Sequence, residues 1–479
     1  MDWVGFLGAA VLLILSITGL VLLWRWSGSQ KSVGWMISLA FLLRIGLGVG
    51  LNLALTVWGH DSPTNQAGYI FYDAYTRDTQ AFELAQSEEP IWRAFSDDFS
   101  TDQYGGMLAL SAFIYRNLSS DMHRSWLILI ITALFTAAGT PFLWKTLHQR
   151  LGPKEALAGS WLYVLYPESI LLGASQMRDP ILIGLGAIAF WAVLTLNDKQ
   201  VHRWIIAGVT LIVMAAFSWL MAAAVFAALV LWLWIEHVTA INRPHRKTFW
   251  WAVLGLLAVV AVGLLWRWLR SAAVWDAYLA ERDSGWIQAI FEQIPAAVQL
   301  PFLVLYGLLQ PVLPAAIFDP SVPLWTGLST FRAVGWYGIL PILAYAIFAQ
   351  RRIEPTEKRW LVLWALGISL AWMLISSLRA GGDMWDNPRY RTLLLPWIAL
   401  VVSWAWIHAI THRDVWLGRW FLVEGVFLAF FTHWYIARKV GIFEPLPFGV
   451  MIAAIVIINL GILLSGLLQD RYKQRKSPD

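Results

Sequence analysis

The sequence predicts an all-α protein, a polytopic bundle of transmembrane helices, and two observations carry this prediction. The chain of 479 residues is 59% hydrophobic and only 14% charged, with a mean hydropathy of +0.60, which no ordinary soluble domain combines. Apolar runs of about 20 residues, the length of helix that crosses a bilayer, recur from end to end. The 32 tryptophans agree, because indole rings favour the headgroup level. The absence of cysteine excludes disulfides, Cys-ligated zinc and thiol catalysis.

Hydropathy divides a single membrane domain, residues 1–479, into about thirteen spans. The apolar stretch 204–235 is too long for one span, so we divide it near Ser218. Two shorter runs, 105–116 and 300–318, are predicted to be re-entrant or interfacial helices. The predicted spans are 3–24, 33–58, 125–144, 155–175, 180–197, 203–217, 219–236, 249–266, 324–349, 360–378, 391–411, 419–437 and 447–467.

Basic residues predict the orientation, because Lys and Arg clusters fall in alternate loops and in the tail, which the positive-inside rule assigns to the cytoplasm. The N-terminus is then outside, the C-terminus is cytoplasmic, and the net charge of +5 needs no nucleic acid as a partner. The outer side receives a first extracytoplasmic loop, 59–104, and a second segment, 267–323. Arginines far outnumber lysines there, and their planar forks suit phosphate or carboxylate. Pairing with neighbouring Asp and Glu is the alternative.

Acidic residues gather in the first outer loop, in "YDAYTRDTQAFELAQSEEP", which includes Asp73 and Asp78. The segment "RDTQAFELA" is compatible with a short helix at the membrane surface. Asp78 at its start is consistent with an N-cap, which stabilises free backbone N–H groups. The alternative is a general base that takes a proton from an acceptor hydroxyl or amine.

Two further patches combine proline with charge. In "YPESILLGASQMRDP", Glu168 lies within a span, where an ionisable group is usually functional or paired, while Arg178 and Asp179 lie at the outer end. In "DMWDNPRYRTLLLPW", Arg389 and Arg391 open a span and predict an anion site at headgroup depth. Salt bridges with nearby aspartates are the alternative.

Together the three patches resemble the GT-C superfamily of integral membrane glycosyltransferases, in particular its bacterial protein-mannosyltransferase and aminoarabinose-transferase-like branch. The segments "DTQAFELA", "DQYGGMLALSAFIYR" and "PRYRTLLLPWIALVVSWA" are similar to family elements, and the match covers mainly 60–200 and 385–405. The family's usual Asp-Glu pair is absent, and an additional span precedes the expected first one.

The resemblance implies an inverting transfer of a sugar from a polyprenyl-phosphate donor to a glycan, lipid or protein acceptor on the outer face. It implies an aspartate of the first outer loop as the base, and the spacing to Phe82 and Ala85 favours Asp78 over Asp73. The remaining site residues are Arg389, Arg391 and Arg178 for the donor phosphate, with Glu168, Asp179, Tyr104 and Tyr390 in support. No metal ligands are assigned, and a divalent cation is left open.

Two other functions use similar features. A lipid-linked glycan flippase or transporter would show inverted repeats and charges near the midplane, whereas no repeat is visible and the charges gather outside. An O-antigen-type polymerase or ligase would share the arginines, but its large outer loop should come late in the chain.

Overall fold

The computed structural model describes residues 3–99, 102–196, 201–283, 290–292, 294–318, 321–353 and 357–476. Every regular element in these ranges is a helix, which confirms the all-α prediction. The α-helices are α1 (Trp3–Trp26), α2 (Lys31–Trp58), α3 (Pro63–Gln66), α4 (Tyr72–Gln86), α5 (Gly106–Leu118), α6 (Trp126–Arg150), α7 (Pro153–Leu165), α8 (Pro167–Gly173), α9 (Asp179–Leu194), α10 (Val201–Thr239), α11 (Pro244–Asp283), α12 (Ala296–Leu309), α13 (Leu313–Phe318), α14 (Pro323–Ala349), α15 (Glu357–Ala380), α16 (Asp386–Thr392), α17 (Leu395–Thr411), α18 (Val415–Lys439) and α19 (Phe448–Lys476). Short 3₁₀ turns form at Ile91–Phe95 and Gln350–Arg352.

Many of these helices suit a bilayer. Within the described ranges, nine are long and apolar enough to cross a membrane, and the pair α16–α17, bent by 76°, raises the number to ten. The chain is therefore a multi-pass membrane protein, as predicted. The number of thirteen spans stays a prediction. Helix α9 has 16 residues, and α7 and α8 have 13 and 7, so each is shorter than a helix that crosses a bilayer.

Helix α10 folds back on itself at Ser218, whose φ of −167° and ψ of 102° are not helical. Its two ends lie side by side. Near one end Arg203 donates to the Thr195 carbonyl, next to Leu194. Near the other end Glu236 accepts from Arg150 at 2.5 Å. Arg150 also donates to the Leu194 carbonyl, so the two ends share one face of the bundle. The arms 201–217 and 219–239 thus run in opposite directions, with the break where the sequence predicts it.

A second break separates α7 from α8 at Tyr166, whose ψ of 117° leaves the helical region. A break within a span exposes backbone carbonyls that no water can reach. The guanidinium of the fully buried Arg44 donates to the Val164 carbonyl at 3.2 Å and to the Ser169 hydroxyl at 3.0 Å. A Cβ at Gly173 would come within 2.4 Å of the Arg44 side chain, so glycine is required there.

Charge is divided between the two ends of the bundle. Helix α9 begins at Asp179, 3.7 Å from Arg389, and ends at Leu194 beside Arg150. We call the end of the bundle at Asp179 the acidic end and the end at Leu194 the basic end. The basic end also contains the ion pairs Lys358–Glu155 and Arg352–Asp414. The acidic end carries α4 and the 3₁₀ turn Ile91–Phe95, both in the first predicted outer loop, and α5, which follows that loop. Helix α5, with 13 residues, is too short to span, which agrees with an interfacial helix.

The second predicted outer segment, 267–323, is partly helical in the described residues. Helix α11 continues from its apolar part to Asp283, and α12 and α13 follow with a break between them. The apolar run 300–318 is thus divided between two short helices.

The predicted orientation can be tested with single cysteines, because the natural chain has none. Asp97→Cys, exposed in the first loop, should react with a membrane-impermeant maleimide in intact cells, and Gln474→Cys should react only after lysis. Labelling of both positions in intact cells, or of Gln474→Cys alone, would contradict the orientation.

Candidate functional site

A cavity of about 480 Å³ opens at the acidic end. One wall is the start of α4, the second is the 384–389 segment, and the third comes from α13 and α14. Trp325 stands at their junction: its indole N–H donates to Asn65 at 3.1 Å, and its ring meets the Trp385 ring edge-on at 4.8 Å. The lining residues are His60, Ile70, Phe71, Tyr72, Asp73, Ala315, Ala316, Ser321, Trp325, Thr326, Ser329, Met384, Trp385, Asp386 and Arg389.

The charged part of this cavity is the Arg389 cluster, formed by Arg389 and three aspartates. The Arg389 guanidinium lies 3.4 Å from Asp73, 3.1 Å from Asp386 and 3.7 Å from Asp179. Its side chain is 6% exposed, whereas that of Asp73 is 52% exposed. One positive charge therefore faces three carboxylates, of which Asp73 and Asp386 line the cavity and Asp73 is the more exposed. Sequence analysis placed Asp73, Asp179 and Arg389 in three separate patches, and the fold brings them together.

Asp78 lies away from this cavity, in a buried cluster of its own. Its Oδ2 atom accepts hydrogen bonds from Tyr69 and Tyr115, both at 2.6 Å, and lies 3.0 Å from His123 Nε2. Burial raises the pKa of Tyr69 and of Tyr115 well above the usual range, so both hydroxyls stay protonated and donate. Five residues along a helix correspond to a rotation of about 140°, which separates Asp78 from Asp73. Asp78 ties together the segments that precede and follow α4.

Asp102 organises a third group of charges, which the sequence patterns did not single out. Its Oδ1 atom lies 3.4 Å from Arg178 and 3.8 Å from Arg77, and its side chain is fully buried. Its Oδ2 atom accepts the backbone N–H groups of Met107 and Leu108, both at 3.1 Å, at the start of α5. Asp102 therefore caps α5 and pairs with two arginines. The available signal was an acidic residue just before the Gly105-Gly106 helix start.

The predicted supporting residue Tyr104 belongs to this third group. The Arg178 guanidinium lies 4.6 Å from the Tyr104 ring, within the range of a cation–π contact. Arg178 thus contacts Asp102 and Tyr104, one step away from the cavity lining.

Arg391 occupies a different position from Arg389. It is buried, donates to the Gln310 carbonyl at 2.7 Å and lies over the Trp336 ring at 3.3 Å. Two residues along a helix face opposite sides, so the two arginines diverge. Between them, Tyr390 donates its hydroxyl to Asp386 at 3.2 Å and stays at the Arg389 cluster.

Glu168 forms a buried ion pair with Arg332, with N–O distances of 2.6 and 2.9 Å. Arg332 also donates to the Trp385 carbonyl at 3.0 Å, and its guanidinium lies 4.1 Å from the Trp385 ring. Trp385 lines the cavity, so Glu168 supports the cavity wall through Arg332. This pairing is one of the two roles expected for an ionisable group inside a span.

The described residues contain no group of three acidic or histidine side chains arranged to hold a metal ion. At the Arg389 cluster, the guanidinium takes the central position among the aspartates.

Comparison with known proteins gives few matches. No protein-family model matches the chain, and no curated protein matches it. A solved structure of the archaeal oligosaccharyltransferase AglB from Archaeoglobus fulgidus, in complex with an inhibitory peptide and a dolichol-phosphate, is 12% identical, with a TM-score of 0.34. The alignment covers 90% of this chain, which spans 54% of the AglB chain. At this level the likeness carries no argument about this chain.

The Glu168–Arg332 pair generates a stability prediction. Glu168→Gln leaves the Arg332 charge buried without a counter-charge, and such a loss costs about 3–5 kcal/mol. We expect a clearly lower unfolding temperature in detergent. The double variant Glu168→Leu/Arg332→Met removes both charges and should recover much of the stability. An unchanged unfolding temperature for Glu168→Gln would contradict the buried pair.

Proposed function

We propose that this protein is an inverting membrane glycosyltransferase, which moves a sugar from a polyprenyl-phosphate-linked donor to an acceptor on the extracytoplasmic face. The observation that carries the proposal is the cavity at the acidic end, where the half-exposed Asp73 meets the buried Arg389 beside an apolar wall. A transferase of this kind requires a carboxylate for the acceptor proton, a guanidinium for the donor phosphate and an apolar surface for the donor lipid. The resemblance of the three sequence patches to GT-C enzymes supports the same function.

Asp73 is the proposed general base. It lines the cavity, its carboxylate reaches solvent, and it can receive a proton from an acceptor hydroxyl or amine once its contact with Arg389 is replaced. Asp78, which the sequence spacing favours, already accepts two tyrosine hydroxyls and is 2% exposed. We therefore assign Asp78 to positioning α4, which carries Asp73.

Arg389 is the proposed partner of the donor phosphate. The pair between Arg389 and Asp73 is long, at 3.4 Å, and a phosphate oxygen can replace the Asp73 carboxylate on the same nitrogen. This exchange gives the phosphate a positively charged hydrogen-bond donor and releases Asp73. Arg178 and Arg391, the other predicted phosphate ligands, lie outside the cavity lining and are proposed to hold its supporting segments.

The reaction then balances as a single displacement. The acceptor oxygen or nitrogen attacks the anomeric carbon from the face opposite the phosphate, and its proton passes to Asp73. The bond between the anomeric carbon and the phosphate oxygen breaks, and its electron pair stays on the phosphate. Arg389 stabilises the negative charge that grows there. Attack from the opposite face inverts the anomeric configuration.

The apolar wall accounts for the lipid part of the donor. Ala315, Ala316 and Trp325 line the cavity opposite the charged residues, and they belong to α13 and the start of α14. Aromatic rings at headgroup level are suited to a chain that rises from the bilayer. The donor can thus enter from the membrane with its phosphate toward Arg389.

The assignment of the base can be tested with a matched pair of variants. Asp73→Asn should abolish sugar transfer in proteoliposomes, since it removes proton acceptance at nearly constant volume, while binding of the polyprenyl-phosphate product persists. Asp78→Asn should retain some transfer and instead lower the unfolding temperature, because its hydrogen bonds join α4 to α5 and His123. The opposite pattern would return the role to Asp78. Movement of the lipid-linked sugar across vesicles without any transferred product would indicate a flippase instead.

Arg389 should show a graded response. Arg389→Lys keeps the charge but loses the planar fork, so partial kcat should remain. Arg389→Gln should reduce kcat further, because it removes about 2–4 kcal/mol of transition-state stabilisation. Arg178→Gln is the control, because Arg178 does not line the cavity, and it should reduce kcat less. Normal turnover by Arg389→Gln would contradict the phosphate assignment.

A further inference from the structure

A second cavity lies at the basic end, far from the Arg389 cluster. It encloses about 330 Å³ between the end of α14, the start of α18 and the last turns of α19. The lining residues are Tyr345, Phe348, Ala349, Arg351, Arg352, Trp416, Trp420, Leu463, Leu467 and Asp470. The cavity thus combines an apolar interior with charges at one edge, and the proposed transferase reaction uses none of it.

The charges at this edge are unequally engaged. Arg352 pairs with Asp414 at 2.5 Å and lies 3.8 Å from Asp470. Asp470 also accepts the Trp416 indole N–H at 2.6 Å. Arg351, exposed on the same 3₁₀ turn, makes no hydrogen bond or ion pair with the described part of the chain. The two local carboxylates are therefore satisfied, and one guanidinium at the cavity mouth is available to an anion.

Trp420, a residue of the cavity lining, has a side-chain donor without a partner among the described residues. The Nε1 atom of Trp420 is buried and has no hydrogen-bond acceptor within the described ranges. Its ring stacks on Phe348, with centroids 5.2 Å apart and planes 21° apart, so the indole is held in place. Leaving a buried N–H unsatisfied is unfavourable, so a ligand oxygen that reached this atom would form a stabilising hydrogen bond.

The remaining wall is open to the bilayer. Leu467 lines the cavity on α19 and is 52% exposed, and its neighbours Leu464 and Leu468 are more exposed still. Helix α19 packs mainly against α18, itself a lipid-facing span, so this side of the cavity has no further helix over it in the described chain. A hydrocarbon chain is the natural occupant of such a surface.

We propose that this cavity binds one anionic glycerophospholipid. Its phosphate contacts Arg351, an ester carbonyl accepts the Trp420 N–H, and an acyl chain follows Leu463 and Leu467. Free phosphate would leave the apolar wall uncovered, and a zwitterionic headgroup would bring a cation next to two arginines. The lipid joins the last two helices to α14, and it acts independently of the proposed transferase reaction.

Native mass spectrometry of the full chain in a neutral detergent can measure this binding, with phosphatidylglycerol and phosphatidylcholine titrated separately. We expect wild-type protein to bind the first phosphatidylglycerol more tightly than phosphatidylcholine. Arg351→Gln should weaken the first phosphatidylglycerol by about fivefold, as for the loss of a hydrogen bond to a charged group. The unfolding temperature without added lipid should be unchanged, because Arg351 has no described partner to lose.

Two further variants sharpen the test. Trp420→Phe keeps the ring stack and removes only the N–H, so it should also weaken phosphatidylglycerol binding. Arg246→Gln removes an exposed arginine from the predicted cytoplasmic side outside the cavity, and it should have no effect. Equal losses in Arg246→Gln and Arg351→Gln would indicate non-specific charge attraction and overturn the site. Equal affinity for the two lipids, or displacement of phosphatidylglycerol by millimolar inorganic phosphate, would also overturn it.

Discussion

The buried ion pair between Glu168 and Arg332 connects the two regions of the chain that build the acidic end. Both side chains are almost fully excluded from solvent, with exposures of 2% and 0%, and both guanidinium–carboxylate contacts are short. A charge in such a position is tolerated only when a counter-charge and further hydrogen bonds accompany it. The pair therefore keeps α8 and α14 in one relative position.

The ion pair is connected to the cavity by direct contacts and by short chain segments. Arg332 also supports Trp385 by a hydrogen bond to its carbonyl and a contact with its ring. Trp385 immediately precedes α16, which carries Arg389, while α8 leads directly to the start of α9 and Asp179. Asp179 and Arg389 then come within 3.7 Å although they are far apart in the sequence. The geometry of the proposed phosphate site is thus determined by an ion pair that does not itself line the cavity.

The acidic residues of the first predicted outer loop divide by environment. Asp78 is surrounded by tyrosine hydroxyls and a histidine, and Asp102 by two arginines and the backbone N–H groups that begin α5. Both are buried, and both oxygens of Asp102 and the Oδ2 atom of Asp78 have partners. Asp73 shares its helix with Asp78 but faces the cavity and solvent. The same residue type therefore serves as a connector, as a helix cap and as the proposed base, according to what surrounds it.

Local pattern was enough to predict the all-α membrane fold and the break at Ser218, because hydropathy and span length act within a few residues. The sequence also placed Asp73, Asp179 and Arg389 among the site candidates. Which carboxylate faces the cavity was not predictable, because it depends on the rotation of α4 against its neighbours. The divergence of Arg389 and Arg391 depends likewise on the short helix α16, which the sequence did not distinguish from the span that follows. Asp102 meets Arg178 across 76 residues, and contacts over such a separation arise only when whole helices pack and exclude water around their charges.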